Sequence, residues 1–247
     1  MKHVFWLAWL ALFLAGSERG AWAAEPILHF SQWEKEVAAF ERADATNPPP
    51  KGAWLFVGSS TIHRWNSLAS DFPGQPVINR GLNGTEIVDC THFAGWIIFP
   101  YSPKVIFFRA GGNDLWDGKS PKQVFADFKA FVRAVHAKLP QADLVFISWS
   151  PTPARWKQAA QEKTLNKLVA AYLRGRPHLF YIETYPLVLG ANGQPRPELF
   201  AADKLHFNAG GYKLLAERVR AGWKEICLHE NALRPQPGTS RQRAISR

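Results

Sequence analysis

Cysteine is nearly absent: the 247 residues hold two, Cys90 and Cys227. Two thiols cannot frame a disulfide scaffold, and their spacing matches no zinc motif. Whether they pair with each other stays open. Both fall in predicted helices, where a buried thiol serves as a small hydrophobe. No two histidines have zinc-ligand spacing, so neither a metal nor a cofactor is expected. Beyond the first residues, no apolar run reaches the roughly 20 residues of a membrane helix. Runs of lysine and arginine are missing as well. The net charge is +10, but Arg234, Arg241, Arg243 and Arg247 cluster at the end. A modest, dispersed positive charge gives no reason to expect a nucleic-acid partner. The terminal arginines suit a weak contact with an anionic surface.

The chain begins "MKHVFWLAWLALFLAG", with Lys2 and His3 ahead of an apolar core from Val4 to Leu14. Ala21 and Ala23 then supply the small residues a signal peptidase reads. Residues 1–23 are therefore expected to be a signal peptide, with the protein exported to the periplasm or beyond. Residues 24–233 are expected to form one domain. Residues 234–247 are rich in Pro, Gly, Ser and Arg without periodicity, and are expected to be a basic disordered tail.

What is present is alternation. Apolar runs at 53–58, 76–79, 104–110, 143–149 and 178–183 read as five short buried strands. Continuous runs of this kind fit a mainly parallel sheet covered on both faces. Helical patterns lie between them. Ser120, Pro121 and Gln123 open one with a capping box, and Val124, Phe128, Phe131, Val132 and Val135 mark its buried face. Pro140 is expected to end it. Ser31 and Glu34 predict the same box on an earlier helix, and the last helix is expected from about Asn208 to Ile226. Strand–helix alternation predicts a three-layer α/β/α sandwich. Ligands of open α/β sheets bind outside the carboxyl ends of the strands. The segments just after the strands therefore carry the candidate chemistry.

Four such segments stand out: "GSS" at 58–60, "NRGLNG" at 79–84, "GGNDLW" at 111–116 and "DKLHFN" at 203–208. A serine hydroxyl is a poor nucleophile until a base takes its proton. His206 is the candidate base, and Asp203, three residues earlier, is placed to orient it. His63, three residues after Ser60, is the competing base, without a neighbouring carboxylate in sequence. His92, His136 and His178 read as ordinary helix or strand-start residues. Taken singly, Asp203 is a turn residue, His206 a loop histidine and Gly84 a turn glycine; the combination is what points to catalysis.

In order and content, these blocks resemble the SGNH hydrolases, the GDSL-type esterases and lipases. The resemblance spans residues ~50 to ~226. Gly111-Gly112-Asn113-Asp114 and Asp203-Lys204-Leu205-His206 match two of the family's motifs. The usual Gly-Asp-Ser is here Gly58-Ser59-Ser60, which departs at Ser59 and puts the nucleophile at Ser60. The resemblance implies a flavodoxin-like SGNH fold and a triad of Ser60, Asp203 and His206. It implies an oxyanion hole from Ser60, Gly84 and Asn113; Asp114 reads as a strand-end turn residue that bonds locally. It also implies a serine-dependent carboxylic ester hydrolase.

Trp65, Trp116, Trp149 and Trp156 fall near the motifs. Trp65, Trp116 and Trp149, after the first, third and fourth runs, are candidates to line the substrate pocket or to pack in the core. Loops after the strands read as short, with no lid. An open cleft of that kind predicts acetyl or short-chain esters on a carbohydrate or lipid-derived substrate. An acyltransferase using a glycan acceptor and a non-catalytic glycan-binding protein remain as alternatives. Arg109, inside the third apolar run, is expected to pair with an acid or to reach solvent.

Overall fold

The five apolar runs become five parallel strands, each a little shorter or shifted from its sequence limits. The computed structural model describes residues 30–233. The expected signal peptide at 1–23 and the tail at 234–247 lie outside the described residues. Helix α1 (Ser31–Thr46) leads to strand β1 (Trp54–Gly58), followed by α2 (Ser60–His63) and α3 (Leu68–Asp71). Strand β2 (Val77–Gly81) is followed by α4 (Ile87–His92) and α5 (Ala94–Ile97), and β3 (Val105–Arg109) by α6 (Gly112–Trp116) and α7 (Pro121–Lys138). Then come β4 (Asp143–Ile147), α8 (Ala159–Leu173), β5 (Leu179–Ile182) and α9 (Ala209–Leu233).

The strand order is β2-β1-β3-β4-β5, and every pairing is parallel. Side chains alternate across a strand, so each strand feeds two cores. Leu55, Val57, Phe108 and Phe146 face one core, closed by Val124, Phe128 and Phe131 of α7 and by Leu165 and Val169 of α8. Phe56, Phe107, Val145 and Ile182 face the other, closed by Ile62, Leu68 and Tyr212, Leu215 and Val219 of α9. The result is the expected three-layer α/β/α sandwich.

The capping box at Ser120 forms as expected, with the Gln123 N–H donating to Ser120 Oγ at 3.4 Å and the Ser120 N–H donating to Gln123 Oε1 at 2.9 Å. The box expected at Ser31 does not. Phe30 occupies the cap position without a side-chain bond. Its ring stacks on His92, centroids 3.6 Å apart, so packing rather than capping sets the entry to α1. Helix α7 ends at Lys138, ahead of Pro140, and α9 runs to Leu233, past the expected Ile226. Cys90 and Cys227 are free. Cys90 is buried in the α4, α7 and α8 core, while Cys227 sits on α9 across the sheet, so no bond joins them.

The expectation of short loops fails once. Residues 183–208, between β5 and α9, carry two short 3-10 turns and a small core of Val188, Leu199 and Phe200. This segment brings Asp203 and His206 to the sheet's edge. No helix among the described residues is long and apolar enough to cross a membrane.

Gly58 makes the turn at the end of β1. Its φ is +151°, and a Cβ there would overlap the Arg109 carbonyl oxygen, the acceptor of the Ser59 N–H. Gly58→Ala is therefore expected to destabilise by about 3 kcal/mol or more. That lowers the melting temperature by roughly 6–12 °C at this chain size. An unchanged melting temperature would show that the turn relaxes freely.

Candidate active site

In this strand order the direction of winding reverses between β1 and β3, and crevices in doubly wound sheets open at that point. Ser60 follows β1, and Asn113 follows β3, so both stand at its mouth. Ser59 is the N-cap residue of α2, and its carbonyl accepts the Ile62 and His63 N–H groups at 2.9 and 3.0 Å. Ser60 is then the first helical residue. N–H groups at a helix start have no intrahelical acceptor, so the Ser60 N–H is free of the helix ladder.

Three side chains line up from Ser60. His206 Nε2 lies 3.0 Å from Ser60 Oγ, and His206 Nδ1 lies 2.7 Å from Asp203 Oδ2. The other carboxylate oxygen, Oδ1, accepts the Leu205 and His206 backbone N–H groups at 3.0 and 2.9 Å. Hydrogen bonds from the imidazole, then from these two N–H groups, hold the Asp203 carboxyl well below the usual carboxylate range. Lys204, between them, has φ +56°, which turns the chain tightly enough for Asp203 to face back on His206.

His63 does gain a carboxylate, but from another helix. Its Nδ1 lies 2.6 Å from Glu36 Oε1 on α1 and 3.2 Å from the Gly81 carbonyl oxygen. The ring is thus turned toward α1, and only His206 contacts the Ser60 hydroxyl among the described residues.

Asn113 is held from both ends. Its Nδ2 donates to the Thr85 carbonyl at 3.0 Å, and Arg155 Nη1 donates to its Oδ1 at 2.9 Å. The arginine fixes which end of the amide is nitrogen, leaving the second N–H free of Thr85. Gly84 is exposed, with φ +81° and open space where a Cβ would stand. The Trp33 indole pins the neighbouring Asn83 carbonyl at 2.8 Å. Asp114 is buried and bonds locally as expected, accepting the Ile87 N–H at 3.2 Å and Lys119 Nζ at 3.3 Å. Burial pushes its carboxyl up to about 7.

The pocket at Ser60 and His206 is small and polar. Its interior holds about 60 Å³, room for a few groups at the roughly 10–15 Å³ that one water needs. Trp149 borders it and, at 4% exposure, also packs in the α7 and α8 core. Trp65 does not border it: it is 1% exposed and packs in the α2, α3 and α9 core, stacked edge-on to Phe56. A strand-end position near the mouth did not reveal that its ring turns inward. Trp116 is 54% exposed and outside the pocket wall, but Arg155, which is in the wall, lies 4.8 Å over its ring.

Arg109 meets neither expectation. It is buried and has no carboxylate in contact. Its guanidinium donates to the Ser148 carbonyl, to Thr184 Oγ1 at 3.2 Å and to Ser150 Oγ at 2.9 Å. It thereby ties β3 to the segments after β4 and β5. Burial lowers its pKa to about 10, which leaves it charged at neutral pH. Sequence reasoning missed Arg155, Gln158 and Glu162, which also line the pocket. Their signal was present: polar residues crowd the stretch just after the fourth apolar run.

The model of the GDSL-like lipase/acylhydrolase family matches residues 51–214. The chain belongs to that family. No curated protein matches it. Solved structures of the same fold include a protein from Bacteroides fragilis assigned as an acylhydrolase, at 16% identity and a TM-score of 0.65, covering 82% of this chain and 99% of that one. A GDSL-like lipase from Bacteroides thetaiotaomicron has 18% identity and a TM-score of 0.62, over 80% and 98% of the two chains. A carbohydrate esterase family 3 structure from Talaromyces cellulolyticus has 15% identity and a TM-score of 0.53, over 72% and 99%. At these identities the likeness is one of fold. For a GDSL-like acylhydrolase, Ser59 is the departure in the first block, and its side chain makes no cap bond to α2.

Proposed function

We propose that this acylhydrolase is a serine esterase that cleaves short-chain carboxylic esters through an acyl-enzyme on Ser60. The observation that carries the reading is the chain of contacts from Ser60 Oγ to His206 and on to Asp203. His206 Nε2 takes the hydroxyl proton as Ser60 Oγ attacks the ester carbonyl. Asp203 keeps Nδ1 protonated and stabilises the imidazolium. The oxyanion is received by the Ser60 and Gly84 N–H groups and the free Asn113 amide N–H. When the tetrahedral intermediate collapses, His206 returns the proton to the departing alcohol. Water then attacks the acyl-serine with His206 again as base, releasing the carboxylic acid and restoring Ser60.

The size of the pocket favours acetyl and similarly short acyl groups. The named carbohydrate esterase of like fold makes an acylated glycan a natural class of substrate for this chain. In the same reading residues 1–23 export the protein, which then works outside the cytoplasm.

A series of p-nitrophenyl esters from two to twelve carbons tests the acyl preference. Turnover is expected to be highest at two to four carbons and to fall roughly tenfold or more by eight, because a longer chain outgrows an interior of about 60 Å³. Best turnover on the longest chains would overturn the short-chain assignment.

A further inference from the structure

In the proposed oxyanion hole, the two backbone donors are fixed differently. The Ser60 N–H is set by the helix it opens, but the Gly84 N–H belongs to an exposed turn with open space where a Cβ would stand. Asn83 keeps a negative φ and Gly84 takes +81°, the signs of a type II turn at its two central residues. Rotating the peptide between them by about half a turn gives the type I form. Glycine accepts either sign of φ, so its own sterics hold neither form. That rotation swaps the directions of the Asn83 carbonyl and the Gly84 N–H. The ends of the turn are anchored. The Leu82 N–H donates to the Gly58 carbonyl at 2.9 Å, Thr85 Oγ1 donates to the Leu82 carbonyl at 3.0 Å, and the Thr85 carbonyl accepts Asn113 Nδ2 at 3.0 Å. These bonds put the turn between the end of β1 and Asn113, and leave its central peptide to be set by something else. Among the described residues, one side chain bonds that peptide: Trp33 of α1, whose indole N–H donates to the Asn83 carbonyl at 2.8 Å.

We infer that Trp33 is a positioning residue of the oxyanion hole, locking the Asn83–Gly84 peptide with the Gly84 N–H turned to the reacting carbonyl. The inference rests on the esterase reading above and adds to it a residue outside the four motif blocks. The peptide is trans, so its C=O and N–H point opposite ways. An Asn83 carbonyl drawn to α1 therefore turns the Gly84 N–H away from α1, a helix with no residue lining the pocket. The Gly84 N–H has no acceptor among the described residues, so it is free to take the oxyanion. The bond from Trp33 also polarises the peptide, which strengthens the N–H as a donor at its other end. In the flipped form the Asn83 carbonyl oxygen faces the developing negative charge, so the hole loses a donor and gains a repulsion. Trp33 is 7% exposed and belongs with Val37 to the core under α1, so the indole is in place before the reaction begins.

The test measures p-nitrophenyl acetate turnover in Trp33→Phe, which keeps a buried ring and removes the indole N–H. Both tetrahedral steps use the hole, so kcat is expected to fall roughly three- to tenfold, the worth of one net hydrogen bond, with KM within about twofold of wild type. The pH midpoint of kcat/KM is expected to stay in place, since the pair of His206 and Asp203 is untouched. Val37→Ala is the control. It loosens the same helix from the core without touching the peptide, and is expected to keep the wild-type kcat even where its melting temperature falls as far. If Trp33→Phe does not fold, β-(3-benzothienyl)alanine at position 33 carries the test, because it replaces only the N–H by sulfur. A wild-type kcat in the folded variant overturns the inference. An equal loss of kcat in Val37→Ala also overturns it and makes Trp33 a packing residue. If the wild-type protein turns over no ester and Ser60 takes up no serine-directed probe, the esterase reading itself fails and this inference with it.

Discussion

A fluorophosphonate probe is expected to label the wild-type protein and Ser59→Ala, and to leave Ser60→Ala unlabelled. The two serines are adjacent, so this outcome depends on geometry. Ser59 holds the turn with its backbone: its N–H reaches the Arg109 carbonyl at 3.1 Å, and its own carbonyl takes two N–H groups of α2. Replacing its side chain leaves those bonds in place. Ser60 places its hydroxyl 3.0 Å from His206 Nε2, and in the proposed reaction that contact makes the oxygen nucleophilic. Ester turnover in Ser60→Ala is expected to fall by about 10⁴-fold or more, with a melting temperature close to wild type. Retained labelling in Ser60→Ala would remove the nucleophile assignment. Loss of labelling in Ser59→Ala alone would move it by one residue.

The parts of the site that were legible in the sequence are those set by short-range chemistry. Glycine at 58 and the apolar run before it give the strand-to-helix turn, and Asp203 three residues before His206 gives their contact. The strand order then does the long-range work, since parallel strands put every post-strand segment at one edge of the sheet. Residues whose role depends on side-chain direction were not legible. Trp65 follows the first apolar run and Trp149 closes the fourth; both rings pack in a core, but only Trp149 also borders the pocket. Arg109 looked like a charge in search of an acid. It instead keeps its charge and donates to carbonyl and hydroxyl oxygens 39 to 75 residues away, a pattern that no spacing rule anticipates. The carboxylate beside His63 was invisible for the same reason: Glu36 lies on a helix before the first strand. The 3-10 turns and small core at 183–208 have no periodic signal, so the sequence shows no sign of this longer loop.

His206→Ala and Asp203→Asn are the second pair of variants with large expected effects, and their sizes differ for a physical reason. Removing the imidazole removes the only base in contact with Ser60 among the described residues, so His206→Ala is expected to lose about as much turnover as Ser60→Ala. Asp203→Asn keeps the shape of the side chain. It replaces an acceptor that fixes the Nδ1 proton with an amide that can favour the wrong tautomer, and turnover is expected to fall by roughly 10⁴-fold. His63→Ala breaks only the contacts to Glu36 and Gly81 and is expected to keep turnover near wild type. The decisive variant is the double one. If Ser60 and His206 act as a unit, Ser60→Ala with His206→Ala costs about as much as either alone, because the second substitution removes a group with no remaining partner. Losses that multiply would mean that the two residues contribute separately, and the 3.0 Å contact between them would then be a feature of the fold with no part in the reaction.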